Sequence, residues 1–280
     1  MIRTRALGKA LGAEILDVDL SKPLDEATAR ELRDVWHRHQ VIVFRDQDIT
    51  ADDQRRLVSY LGTLQPPRSK LERKDADILY VANVLVGDEK GVLPDGEMQF
   101  HADQCYYESP ARGAVLYALE VPSKGGDTCF ADMYGAYEDL APDLKERLEG
   151  LDVFFVYDYE SNVYRRGPVG PNAPRFTHPA VIKHPDTGRP LLFVNRLMSD
   201  HIVGLPKDES DALLLKLFDH VERPDRVYAH HWRKGDVVVW DNFATLHART
   251  DFDPAERRIL RRMAIGGVRP EPYREQRMAS

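Results

Sequence analysis

Apolar positions along the chain recur with two periods. Over residues 25–38, Ala29, Leu32, Val35 and Trp36 fall three to four apart, which predicts an amphipathic helix. A second helix is predicted over 51–61, with Thr50 as its cap and Gly62 as its stop. A third covers 209–221, and 132–149 is helical in tendency, broken or restarted at Pro142. Elsewhere the pattern shortens to strands over 15–20, 40–44, 78–86, 114–119, 127–132, 151–157, 191–195, 227–232, 237–241 and 258–265. Pro-Ser-Lys-Gly-Gly (122–126) and Arg-Lys-Gly-Asp (233–236) read as tight connections between neighbouring strands. Residues 68–77 are charged and predict a surface loop, and a Gly/Pro/Asp-rich loop over 87–97 precedes a strand beginning at Met98. Residues 159–180 have little period and many Gly, Pro, Asn and Arg, which predicts a long lid or binding loop.

Many short strands with helices between them predict a mainly β chain with peripheral helices, a sandwich or barrel. A length of 280 residues suits a single domain over 1–280. Composition narrows the function classes. With 42% hydrophobic and 30% charged residues, the chain reads as soluble and globular. A net charge of -7 and a pI near 5.8 give no general attraction to nucleic acid or an anionic membrane. No apolar run is long enough to span a bilayer, and the first fifteen residues carry no secretory signal. Cys105 and Cys129 are too few for a disulfide framework, so a reducing cytoplasm is expected.

Candidate chemistry centres on Met98-Gln99-Phe100-His101-Ala102-Asp103. On a strand, His101 and Asp103 would point to the same face. An imidazole and a carboxylate are two members of the two-His-one-carboxylate set that holds non-haem iron and leaves positions open. His247, just past the apolar strand ending in Trp240-Asp241-Asn242, would complete it, although spacing alone leaves His178, His201, His230 and His231 as competitors. In Arg257-Arg258-Ile259-Leu260-Arg261-Arg262, Arg258 and Arg262 share strand parity and would grip a carboxylate from one side. Thr128 is a candidate hydroxyl partner for that anion. Glycine-rich phosphate loops, H-E-x-x-H, paired-Cys zinc spacings and G-x-S-x-G are all missing.

Taken in order, His101-Ala-Asp103, Gly125-Gly126-Asp127-Thr128, Trp240-Asp241-Asn242, His247 and Arg258 resemble the taurine dioxygenase and 2,4-dichlorophenoxyacetate dioxygenase family, Fe(II)- and 2-oxoglutarate-dependent oxygenases. The resemblance runs from Leu11-Gly12-Ala13-Glu14-Ile15, through residues 39–47, to Arg262. It implies a double-stranded β-helix (jelly-roll) core. It also implies Fe(2+) on His101, Asp103 and His247, with 2-oxoglutarate and O2 as co-substrates. Arg258, eleven residues past His247, would pair with the distal carboxylate of 2-oxoglutarate, with Thr128 assisting. Arg262 matches the family position that reaches the anionic group of the primary substrate. Asp241 and Asn242 would shape the approach to His247.

The implied reaction is hydroxylation of a small anionic organic substrate (carboxylate, sulfonate or aryloxyalkanoate), coupled to decarboxylation of 2-oxoglutarate to succinate and CO2. An intact Asp103 favours hydroxylation over halogenation, since related halogenases lack this carboxylate. Phe100 stands where many relatives carry Trp, and Glu97 where taurine-processing relatives carry an amide. Glu97 would either meet a cationic group of the substrate or face solvent. With Tyr106, these two are the positions expected to set substrate choice. Neither a nucleic-acid nor a membrane partner is expected, and the family is compatible with a homo-oligomer. Two other readings stay open on residues alone: a zinc or manganese hydrolase or isomerase on a barrel, and a non-catalytic small-anion binding protein.

Overall fold

The first helix forms where the spacing places it, over Glu26–His39: Asp25 accepts the Thr28 N–H at its start, and Ala29, Leu32, Val35 and Trp36 are buried. The second, Ala51–Leu61, opens with a reciprocal capping box between Thr50 and Asp53 and ends at Gly62. The computed structural model describes residues 1–68, 73–94, 96–158 and 168–274. Both helices lie on one face of an eight-stranded sheet among the described residues. Its order is Arg3–Ala6, Ala13–Leu16, Val41–Phe44, Val237–Asp241, Gly113–Glu120, Ile259–Ile265 and Leu64–Gln65, with Leu79–Ala82 also paired to Ile259–Ile265.

Strand alternation sorts this sheet's side chains into two cores. Ile42, Phe44, Val115, Tyr117, Val237, Val239, Met263 and Ile265 face the helices. Val41, Val43, Ala114, Leu116, Ala118, Val238, Trp240 and Leu260 face the other way, against Phe130, Tyr228 and Trp232. Those three lie on or just after strands of a four-stranded sheet, Val227–His230, Thr128–Asp132, Thr245–Arg249 and Met98–His101 in that order. The chain is thus mainly β with helices outside, and its mixed sheet-and-helix core is of the double-stranded β-helix type. A third core packs Met133–Glu138 and Lys207–Val221 against smaller sheets that include Asp152–Val156 and Val181–Lys183.

Several expectations are revised. The strands on either side of 122–126 are joined by the tight connection expected, but they do not pair with each other. Gly113–Glu120 belongs to the large sheet and Thr128–Asp132 to the small one, and the same holds for Val227–His230 and Val237–Asp241. Each tight connection carries the chain from one sheet to the other. The strand expected over 15–20 is Ala13–Leu16 and stops where Asp17 takes a left-handed φ of 60°. The helical stretch 132–149 divides into Met133–Glu138 and Pro142–Leu148. Of the loop expected over 159–180, residues 159–167 lie outside the described residues, and Arg175–Pro179 is a strand paired with Asp152–Val156. Among the described residues no helix is long and apolar enough to cross a membrane, and Cys105 and Cys129 are unpaired.

Candidate metal centre

His247 sits mid-strand in Thr245–Arg249, directly across the register from His101 at the end of Met98–His101. Their ring centroids are 4.0 Å apart. Asp103 is not on that strand, as parity assumed, but in the turn that follows, beside Gln104 with φ 62°. Turn geometry rather than strand alternation brings it to the imidazoles. Its Oδ1 lies 3.9 Å from Nε2 of each histidine. Among the described residues, this trio is the one His/Cys/Asp/Glu group whose ligand atoms all lie within 4.8 Å of one another.

The protonation of the trio suits a divalent metal. Nδ1–H of His101 donates to the Gln99 carbonyl at 2.9 Å, which leaves Nε2 with its lone pair toward Asp103. Burial pushes both imidazoles down, His247 to about 3, where neighbouring His101 adds to the effect. Both are neutral ligands at neutral pH. Burial alone would raise the Asp103 carboxyl, but the Arg262 guanidinium and then the imidazoles of His247 and His101 hold it well below the usual carboxylate range. Arg262 donates to Oδ2 at 2.7 Å, so Oδ1 is the oxygen turned to the histidines. His247 is held by packing, with the Trp240 ring at 4.9 Å and Phe130 at 6.5 Å. Two neutral nitrogens, one carboxylate oxygen and an adjoining cavity form an open facial set that fits Fe(II).

The competing histidines are occupied elsewhere. His230 is fully buried between the Tyr228 hydroxyl and Asp236. His231 pairs with Asp127, His201 with Asp200, and His178 donates to the Tyr107 carbonyl at 2.9 Å.

The trio opens into a cavity of about 430 Å3. Arg258, 2% exposed, lines it. Nε of Arg258 donates to the Gly126 carbonyl at 3.2 Å, and its Nη1 has no hydrogen-bond partner among the described residues. Burial, and then Arg249 nearby, pull this guanidinium down to about 9, so it is still charged at neutral pH. A buried cation with an unsatisfied N–H is the feature an incoming carboxylate would complete. Thr128 also lines the cavity, and its Oγ1 accepts from Trp232 Nε1 at 3.0 Å, which leaves the hydroxyl hydrogen to give. These groups fit 2-oxoglutarate beside the metal.

The rest of the wall is mostly apolar. Leu79, Val81 and Leu116 come from the large sheet, and Val92, Leu93 and Pro94 from the loop before Met98. Arg249, two residues past His247, straps that loop by donating to the carbonyls of Pro94, at 2.7 Å, and Gly96. On the opposite side the Tyr106 ring stacks on Tyr157 at 5.0 Å and meets Tyr107 at 4.8 Å, with the Arg68 guanidinium over Tyr107 at 4.5 Å.

Of the residues expected to set substrate choice, Tyr106 and Arg262 line this cavity. Glu97 and Phe100 do not. Glu97 is exposed beside the lining residue Met98, and Phe100, of opposite parity to His101, packs into the third core. Sequence reading passed over Arg249, Tyr157 and the walls from 79–81 and 92–94. Arg249 alone left a usable signal, its shared parity with His247.

Comparison with known proteins gives one family. The model of the family described as "Taurine catabolism dioxygenase TauD, TfdA family" matches residues 3–264. Pentalenolactone F synthase of Streptomyces avermitilis is 33% identical over 284 residues, covering 93% of this chain and 92% of its own length. The (S)-phenoxypropionate/alpha-ketoglutarate-dioxygenase of Sphingobium herbicidovorans is 33% identical over 273 residues, covering 93% of each. The crystal structure of AAD-2 in complex with Mn(II) and N-oxalylglycine superposes with a TM-score of 0.83 at 28% identity, over 96% of this chain and 99% of that one.

Proposed function

Since the chain belongs to the TauD, TfdA family, we propose that its primary substrate is a small carboxylate with a bulky apolar, preferably aromatic, body rather than an amino-sulfonate. The reaction itself is that of an Fe(II)- and 2-oxoglutarate-dependent dioxygenase acting on a small anionic substrate. The hydrolase and binding-protein readings are set aside by the family and the triad together. Iron held by the triad supplies the binding of 2-oxoglutarate and O2 and the oxidative chemistry; the chain supplies position, charge and exclusion of water.

One observation carries the substrate class. Among the described residues lining the cavity, Asp103 is the sole carboxylate, against Arg68, Arg249, Arg258 and Arg262, and apolar and aromatic side chains make most of the remaining wall. Among the described lining residues an ammonium group would find no carboxylate other than Asp103, already held by Arg262, whereas an apolar body would be desolvated against Leu79, Val81, Val92 and Tyr106. The relative named for (S)-phenoxypropionate acts on an acid of this chemistry. In this reading Arg258 and Thr128 hold the distal carboxylate of 2-oxoglutarate. Arg262 gives one N–H to Asp103 and offers the others to the substrate anion, while Tyr106 stacks on the substrate's body. The two facing sheets are taken as the two halves of a closed jelly roll in one cytoplasmic domain, for which the unpaired cysteines are the support.

The test is substrate-stimulated succinate formation across a panel of phenoxyalkanoates, alicyclic carboxylates, alkyl sulfonates and taurine. Burying an aromatic ring contributes ~1.5–3 kcal/mol, so the phenoxyalkanoates are expected to bind roughly 10- to 150-fold more tightly than acetate-sized acids. Taurine stimulating succinate formation as well as the apolar acids would overturn the reading. Gly126 offers a separate check on the co-substrate. It sits at φ 66°, and a Cβ there would lie 3.1 Å from Arg258 Nε. Gly126→Ala sets a methyl group against that guanidinium, which is expected to raise the KM for 2-oxoglutarate about 5- to 30-fold, equivalent to ~1–2 kcal/mol of lost binding. Mn(II) affinity, read by titration, should not move.

A further inference from the structure

We propose that Asn242 is a positioning residue of the metal centre, its carboxamide locking the Asp103 turn to the turn that delivers His247. The proposal rests on the triad and concerns how its members are held. Asn242 is fully buried. Its Oδ1 accepts the Asp103 backbone N–H at 2.7 Å, and Nδ2 donates to the carbonyls of Asp103, at 2.9 Å, and Ala111, at 2.8 Å. Both N–H groups and the carbonyl are used, and turning the amide over would set its oxygen against two carbonyls. The orientation is therefore determined by the network.

Asp103 needs such a hold. It lies beyond the end of its strand, in a turn whose next residue takes a left-handed φ, so ladder hydrogen bonds do not set its place. Asn242, in contrast, is mounted on a rigid frame. Asp241 Oδ1 accepts the N–H groups of Phe243 and Ala244 at 3.0 and 3.1 Å, and the Thr245 hydroxyl donates to the Asp241 carbonyl at 2.7 Å. From beneath, Arg112 reaches Asp241 Oδ1 at 2.5 Å and His184 donates to Oδ2 at 2.9 Å. The Asn242 N–H itself donates to the Arg112 carbonyl at 3.0 Å. This turn runs straight into Thr245–Arg249, which carries His247 and pairs with the His101 strand. Asp103 would otherwise be the one ligand with an independent backbone. Asn242 ties it to the frame of the other two.

Two substitutions and one control test the proposal. Asn242→Ala removes all three hydrogen bonds. Asn242→Asp keeps the shape and the acceptor for the Asp103 N–H but turns an oxygen on the two carbonyls. Thr50→Ala, at a distant helix cap, is the control for lost stability. Mn(II) affinity is measured by calorimetric titration of each folded protein, and the visible bands of the Co(II)-loaded protein report ligand geometry. Partners that orient ligands typically carry 10- to 100-fold in metal affinity. Weaker Mn(II) binding by about that factor in Asn242→Ala, with altered Co(II) bands and no change in Thr50→Ala, is the expected result. Mn(II) binding within twofold of the parent would overturn the proposal. If Asn242→Ala does not fold, Asn242→Asp carries the same reading; failure of both to fold would assign Asn242 to folding and overturn it too. The parent's own titration tests the metal centre separately, because a parent that does not bind Mn(II) at all removes the triad rather than the clamp.

Discussion

His247→Ala is expected to abolish substrate-dependent succinate formation and to remove the thermal stabilisation that Mn(II) gives the parent. The imidazole is one of three donors and is already neutral, pushed down to about 3 by burial and by His101, so the parent has no proton to displace there. Losing a direct ligand should weaken metal binding by more than the roughly 10- to 100-fold that orienting partners carry. The cost to the apoprotein is smaller. The ring packs on Trp240 and Phe130, but its Nδ1 is buried without a partner among the described residues, and that desolvation penalty goes with it. Stabilisation by a ligand at a hundred times its Kd is ~2.7 kcal/mol, so the parent's melting temperature should rise clearly with Mn(II) while that of His247→Ala stays flat. His201→Ala, at an exposed histidine paired with Asp200, should behave as the parent. A His247→Ala protein that retained the Mn(II)-dependent rise would remove His247 from the metal set.

Arg258→Met should separate stability from co-substrate binding in opposite directions. The guanidinium is 2% exposed with Nη1 unpaired among the described residues, so among them the apoprotein holds a buried charge without a bonded counter-ion. An apolar side chain of similar length is expected to leave the apoprotein as stable as the parent or more so. Binding of 2-oxoglutarate should fall by roughly 30-fold to several thousand-fold, the range of ~2–5 kcal/mol for truncating a buried charge pair. The pH dependence has a definite sign. Burial pulls Arg258 from its ordinary, much higher value down to about 9, so between those values the unfolded chain binds more protons than the folded one. The destabilisation from burying the charge is full below pH 9 and fades as pH rises through the window. The stability advantage of Arg258→Met over the parent should therefore shrink above pH 9, and saturating 2-oxoglutarate should remove it by pairing the parent's cation. Undiminished 2-oxoglutarate affinity in Arg258→Met would show that the co-substrate carboxylate goes elsewhere.

Much of this site was legible before any coordinates. The helices at 26–39 and 51–61 follow from three-to-four spacing, the second also from Thr50 as its cap, because a helix satisfies its backbone locally. The common parity of Arg258 and Arg262 holds, since both line the cavity while Arg261 between them turns to Gln54 under the second helix. That follows from the two-residue period of a strand. His101 and Asp103 were legible as a neighbouring imidazole and carboxylate, and His247 was picked out from several candidate histidines by the family resemblance.

What the sequence did not reveal depends on which strand lies beside which. The links at 122–126 and 233–236 have hairpin composition, yet each crosses between sheets, since a turn's residues encode its bend and not the partner of the strand that follows. Glu97 and Phe100 sit close to His101 in sequence but outside the cavity, because Glu97 precedes the strand that begins at Met98 and Phe100, next to His101, turns into the third core. Asn242 meets Asp103 across 139 positions, and Arg249 meets Pro94 across 155. By itself the chain determined its donors, its charges and the apolar face of each element, all properties of residues a few positions apart. Only the tertiary structure decided which donors meet, which arginine is left unpaired and what walls the cavity, because those contacts arise from sheet order and packing between segments that no local period relates.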